Sequence, residues 1–313
     1  MAPLWLLALL VGFLALASPA SPQAEVRRDL TVGSKAVLGG GRPATQVFVK
    51  AHTEVILVRA PVSVHLTLDP GGLLDGSPRY VRGLTEAYVS LRGNRSVVSA
   101  GIERIPLEYA RLTLPFSLER VDPLGTRLGR LGARLLWYPD EMTRVRFAVL
   151  DIGGRLDPLV SIRREFASFE IEAHVLHYRG RTVTGLGGSG LVGDLVVHGE
   201  VWMFHAPREW RYALGVSGNL GDGIWTVEGG YASEAPGVPP RHQLAAQAAW
   251  PLSEDLSITL TGRVFFDPDA HRGQVIIQTV KVIGSAEISA YLGGLFGPSG
   301  PAAVVGASVR ISY

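Results

Sequence analysis

The chain has 313 residues, of which 47% are hydrophobic and 19% charged, with no cysteine and a formal net charge of +2. That length admits one large or two ordinary domains and an ample buried interior. The lack of cysteine excludes a disulfide framework and thiolate metal sites, and so small a net charge gives no electrostatic basis for a nucleic-acid partner.

The first informative segment is Leu4 to Ala17, an unbroken apolar run of 14 residues followed by Ser18-Pro19-Ala20. It is short for a membrane-spanning helix and suits the apolar region of a signal peptide, although no Lys or Arg precedes it. Residues 1–20 are therefore read as a signal peptide cleaved after Ala20. Residues 21–45 are less regular and read as a periplasmic N-terminal tail or short plug-like segment. The remainder, 46–313, reads as one unit.

Beyond that point no window is apolar enough for a spanning helix, and the apolar period is two rather than 3.6. In Ser168 to Tyr178, Phe169, Ile171, Ala173 and Val175 oppose Glu170, Glu172 and His174. In Leu195 to Phe204, Leu195, Val197, Val201 and Met203 oppose His198 and Glu200. Runs of this kind fall near 62–69, 84–92, 96–104, 128–138, 143–151, 158–166, 169–178, 182–191, 195–204, 209–218, 223–233, 241–250, 255–266, 273–283, 285–296 and 302–313. They predict about 16 antiparallel strands, an even number, with 14 as the lower count because 62–69, 158–166, 182–191 and 273–283 alternate least clearly. Tight turns such as Gly193-Asp194 and Gly221-Asp222 separate them, and from Gly129 onward short and long connections roughly take turns.

An alternating chain fits a soluble sandwich or a membrane barrel, and three features select the barrel. Many runs reach 10 to 12 residues, longer than sandwich strands. Trp137, Tyr138, Trp210, Tyr212, Trp225, Tyr231 and Trp250 sit near segment ends, where an aromatic girdle would lie. The apolar face holds Gly199, Gly229, Gly262, Ala133, Ala173, Ala246 and Ala248, which would leave voids in a packed core but not against lipid. The fold class is thus all-β, a transmembrane antiparallel up-and-down barrel.

The closing VVGASVRISY resembles the C-terminal signal of bacterial outer-membrane barrels, in which a terminal aromatic and alternate apolar residues are read by the barrel-assembly machinery. Val309, Ile311 and Tyr313 occupy the matching positions. The layout around Ile105-Pro106, Asp122-Pro123 and Tyr138-Pro139, and the hairpin Gly190 to Met203 with its inward Glu200, are similar to porin-like proteins of the alginate-export group. The resemblance implies a bacterial outer-membrane location and a porin-like channel.

With apolar residues toward lipid, charged ones face a lumen. Arg130, Arg134, Arg144, Arg146 and Arg163 come from consecutive strands and predict a basic wall. Glu170, Glu172, Glu200 and Glu228, with His174 and His198, predict an acidic wall beside it, and Arg211 and Arg263 join the pore-lining set. The longest connection, Ile105 to Leu128, carries Glu108, Arg111, Glu119, Arg120 and Asp122 among several leucines and is read as a constriction loop entering the mouth. No G-x-S-x-G, H-E-x-x-H or phosphate-binding loop is present, so neither catalysis nor a cofactor or metal is expected. The reading is a channel for passive diffusion of small hydrophilic solutes, with outer-membrane lipid and the assembly machinery as partners and a homo-oligomer compatible with it. The alternative is a closed or narrow structural barrel supporting the envelope or a partner complex.

Overall fold

The computed structural model describes residues 23–38, 44–74, 78–81, 83–113, 116–121, 126–206, 208–232, 241–266, 272–297 and 300–312. The expected signal peptide, Asp122 and Tyr313 lie outside them. All of the regular structure described is β. It begins with β1 (Gln23–Leu38), β2 (Ala44–Arg59), β3 (Val62–Leu68), β4 (Gly71–Leu74), β5 (Pro78–Val81), β6 (Leu84–Arg92) and β7 (Ser96–Glu103). Two short strands in the long connection, β8 (Arg120–Val121) and β9 (Arg127–Leu128), pair with each other. The wall then continues through β10 (Arg130–Trp137), β11 (Thr143–Asp151), β12 (Leu156–Glu165), β13 (Phe169–Tyr178), β14 (Arg181–Val192), β15 (Leu195–His205) and β16 (Arg208–Leu220). It ends with β17 (Gly223–Ala232), β18 (Arg241–Ser253), β19 (Leu256–Phe266), β20 (Arg272–Ile283), β21 (Ala286–Phe296) and β22 (Ala302–Ser312).

Eighteen of these strands form one closed antiparallel barrel. β3 pairs with β6, β7 pairs with β10, and β22 closes on β1 from Asp29↔Ser312 to Leu38↔Ala303. Closure leaves the wall without an open strand edge, which a lipid environment demands. β4 and β5 prolong β3 and β6 past a break at Asp69-Pro70, where proline has no N–H to give to the ladder. Pro70 still accepts from Ala51 N at 2.9 Å, so the break keeps contact with β2.

All sixteen runs expected from the sequence form strands, including the four least clear ones. The expected count of 16, or 14, is nonetheless too low, because β1 and β2 also belong to the wall. The segment read as a tail or plug is therefore mostly β1. Its outward file of Val26, Leu30 and Val32 is interrupted by Arg28 and Ser34, which dilutes the period of two. In β2, Val55 to Val58 reads as a continuous apolar run because Ile56 and Val58 put apolar groups on the lumenal file.

Tight turns at 93–95, 138–142, 193–194, 221–222 and 284–285 lie at one end, though not all short connections do, since 179–180 and 206–207 join the opposite ends of their strands. The longest connections, 104–129 and 233–240, fall at the other. The outer face is a continuous apolar belt, with Val49, Val149, Ile171, Ile277 and Val309 exposed and Leu214 65% exposed. Trp137, Tyr138 and Trp210 are exposed at strand ends, as a girdle requires. Large apolar side chains left bare over a whole surface are stable only against hydrocarbon.

Candidate functional site: a loop folded into the lumen

The charged residues expected to line a pore turn into the barrel interior, and most are engaged there. Antiparallel register sets Arg163 opposite both Arg144 and Glu172, and Glu200 opposite Gly187. From there Glu172 reaches Arg144 at 3.2 Å, Arg146 at 3.4 Å and the Ser161 hydroxyl at 2.8 Å. Arg163 pairs with Glu170 and, at 3.2 Å, with Glu165. Arg134 pairs with Glu103, which also accepts from Ser99 at 2.8 Å. Arg211 pairs with Glu209 at 2.7 Å and lies over the Phe204 ring. Basic and acidic walls are adjacent, so they meet along a line of ion pairs rather than facing each other across open water.

The connection after β7 turns inward and crosses the lumen. At its base Ile105, Leu107, Phe116 and Leu118 pack on Leu150, Leu159, Leu176, Val183, Trp202 and Phe204, which the wall turns inward near the loop end. Phe116 sits 4.7 Å from Trp202 and 5.7 Å from Phe204, ring centre to ring centre. Burying these groups, each worth about 1.5–3 kcal/mol, is why so apolar a connection does not stay in solvent. Arg130 Nε donates to the Leu118 carbonyl at 2.7 Å, and Arg146 Nη1 donates to the Pro106 carbonyl at 3.4 Å.

The middle of the loop is held by carboxylates. Glu200 accepts from Tyr109 N at 2.8 Å, and Glu172 accepts from the Tyr109 hydroxyl at 3.4 Å. Glu228 accepts from Arg111 N at 2.7 Å, Leu112 N at 3.3 Å, and both Thr113 N and Thr113 Oγ1. His198 Nε2 lies 3.0 Å from Glu228 on the wall side. Arg263 Nη2 donates to the Leu112 carbonyl, and Arg111 Nη1 donates to Ser217 at 3.0 Å. Glu108 and Glu119 share Arg127 at 3.9 and 3.2 Å. Burial and the neighbouring Glu108 raise the Glu119 carboxyl above the usual carboxylate range, against the pull of Arg127. Between loop and wall a cavity of about 270 Å³ remains, lined by Tyr109, Arg111, Arg144, Arg163, Glu170 and Glu172.

Solved structures with the same architecture identify the fold. Pseudomonas aeruginosa OccK2 (OpdF) superposes with a TM-score of 0.68 at 9% identity, covering 93% of this chain and 97% of its own. P. aeruginosa OpdQ does so at 0.66 and 8%, over 93% and 98%, and Acinetobacter baumannii OccAB4 at 0.64 and 7%, over 92% and 98%. The chain shares the barrel fold of these proteins. No family model matches it, and no curated protein matches it significantly in sequence.

Within this barrel the structure assembles most of the expected residues and separates a few. Arg144, Arg146, Arg163, Glu170 and Glu172 form one cluster, and His198, Glu228 and Arg263 converge on the loop tip. Arg211 lies apart from both, at the loop end. His174 is fully buried and stacks on Trp202 at 5.0 Å, so it belongs to the wall beneath the loop rather than to open water. Of the loop residues, Glu108 and Glu119 lie beside Arg127, and Arg111 contacts Glu228 and Ser217 of the wall. The side chain of Arg120, like Asp122, lies outside the described positions. Val309 and Ile311 face outward, opposite Val32 and Leu30 of β1.

Sequence reasoning missed Tyr109, Thr113 and the inward aromatics Trp202 and Phe204. The two aromatics had a signal, since they share the file of His198 and Glu200. Thr113 had none, because its partner is 115 residues away in the chain.

Proposed function

We propose that the protein is a porin-like channel of the bacterial outer membrane, through which small hydrophilic solutes diffuse passively past the loop 105–128. What supports this most is the loop itself, pinned across a closed barrel by lumenal carboxylates with a polar, arginine-lined cavity left beside it. A solute passing there exchanges hydration for charged and hydrogen-bonding walls, so polar solutes are favoured over apolar ones. Residues 1–20 serve export, and Val309, Ile311 and Tyr313 present the last strand to the assembly machinery. The described residues contain no cluster of potential metal ligands, and the lumenal charges are spent on pairing and on the loop.

The test is reconstitution of the folded barrel in a planar bilayer. Stepwise conductance is expected. A silent barrel that still shows heat-modifiable migration would leave the fold standing and favour the structural alternative.

A further inference from the structure

The tip of the lumenal loop is gripped from two sides by wall residues 115 and 151 positions away from it in the chain. Glu228 of β17 receives the backbone N–H groups of three successive residues, Arg111, Leu112 and Thr113, together with the Thr113 hydroxyl. Arg263 of β19 takes the carbonyl of that same Leu112. One peptide segment thus presents its donors to a carboxylate and its acceptor to a guanidinium. Three consecutive N–H groups converging on one anion form a concave anion site, in which each bond is charge-assisted.

The grip is built from behind as well. His198 of β15 contacts the Glu228 carboxylate at 3.0 Å, and Gly215 lies between them in register. A Cβ at Gly215 would come within 2.4 Å of the His198 ring and 3.1 Å of Glu228 Cγ. The glycine is therefore what allows the histidine and the glutamate to meet across β16. Ser217, bonded to Thr226 at 2.9 Å, holds the Arg111 side chain next to the same point. Glu228 itself is 1% exposed. A carboxylate so buried could be satisfied by wall partners alone; here most of its partners come from the loop.

We propose that Glu228 and Arg263 form a two-sided latch that positions residues 111–113, and that the width of the constriction is set by this latch. Glu228 is a positioning residue: it acts on passage through the loop. The proposal rests on the channel reading, but its test does not.

The chain has no cysteine, so a single Ala110→Cys at the half-buried position beside the latch gives a clean reporter. Its modification by a small thiol reagent is followed in folded barrels. Adding Glu228→Gln puts an amide against the loop N–H groups, and labelling should accelerate about tenfold or more, the factor expected when a charge-assisted hydrogen bond is lost. Asp69→Asn is the control. Asp69 is an equally buried carboxylate whose partners, His52 at 2.9 Å and Thr85 at 2.8 Å, belong to the wall, and its variant should label at the parent rate.

Equal acceleration in both variants, or none with Glu228→Gln in a folded barrel, would overturn the latch. If Glu228→Gln does not fold, Thr113→Val removes the hydroxyl contact alone, and about a threefold acceleration is then expected. An unchanged rate there overturns the latch equally. If the parent is electrically silent, the channel reading falls while labelling still decides the latch. If it conducts, Glu228→Gln should also raise and destabilise the conductance step.

Discussion

Residue by residue, the least conspicuous positions hold the site together. The run Gly185-Leu186-Gly187-Gly188-Ser189-Gly190 reads in isolation as a flexible strand or turn. In the barrel, Gly185 and Gly187 face the lumen and leave room for rings: a Cβ would lie 2.4 Å from Trp202 at the first and 2.6 Å from Tyr109 at the second. Gly187 thus lets the loop lie flat on β14, where Tyr109 N can reach Glu200. Replacing Gly187 with alanine should push Tyr109 off the wall without unfolding it. The expected cost is about 1–3 kcal/mol, the usual range for overpacking a fitted contact, seen as a lower temperature for heat-modified migration. This role was not legible beforehand. The glycines were plain in the sequence, but what presses against them comes from β15 and from a loop 78 positions away (Tyr109 against Gly187), and no local pattern records either.

At the scale of elements, period-two alternation was a reliable guide wherever one face met lipid and the other met water. Thr143–Asp151 and Phe169–Tyr178 appear with their expected bounds because their outward files, Val145, Phe147 and Val149 in one and Phe169, Ile171, Ala173 and Val175 in the other, are unbroken apolar runs. It failed where a face changed character, as in β2 with its inward Ile56 and Val58. The same mixing on the inner face of β11 to β15 had a cause: Leu150, Leu159, Leu176 and Trp202 face inward because the loop packs on them. The loop is therefore a small core attached to a barrel whose hydrogen-bond ladder closes without it. Removing residues 106–126 should leave a folded, heat-modifiable barrel and a larger single-channel conductance, although the bared apolar patch will lower its stability. An unchanged conductance would mean that the loop does not restrict passage. The opposite dependence is expected at the seam, where β22 pairs with β1 and Arg310 meets Asp29. Loss of Tyr313 from that last strand should impair insertion, measured as yield of folded barrel, more than the stability of molecules already inserted.

For the molecule as a whole, the central electrostatic fact is that pairing has consumed much of the field that the sequence promises. An arginine wall beside a glutamate wall, with both free, would polarise the lumen strongly. Instead Arg134, Arg144, Arg146 and Arg163 have carboxylate partners, while Glu200 and Glu228 are turned to the loop. Any remaining selectivity must come from the groups that still touch water. The arginines differ sharply here. All three border the cavity, but the Arg146 side chain is 5% exposed and also holds the Pro106 carbonyl, whereas those of Arg144 and Arg163 are each 26% exposed. Reversing Arg146 would bury a new carboxylate against Glu172 and is expected to prevent folding, since breaking a buried pair costs about 3–5 kcal/mol. Reversing Arg144 and Arg163 to glutamate places the new charges where water can solvate them. Each reversal removes a positive charge and adds a negative one in the polar cavity beside the loop, so the reversal potential under a salt gradient should shift toward cations. The shift should be clear near 0.1 M salt, where charges act over about 10 Å, and fade toward 1 M, where they act over about 3 Å. A shift that persists at high salt would point to a change of pore shape rather than of field. No shift at all would mean that ions take a path away from this wall, between the loop and the strands β18 to β22.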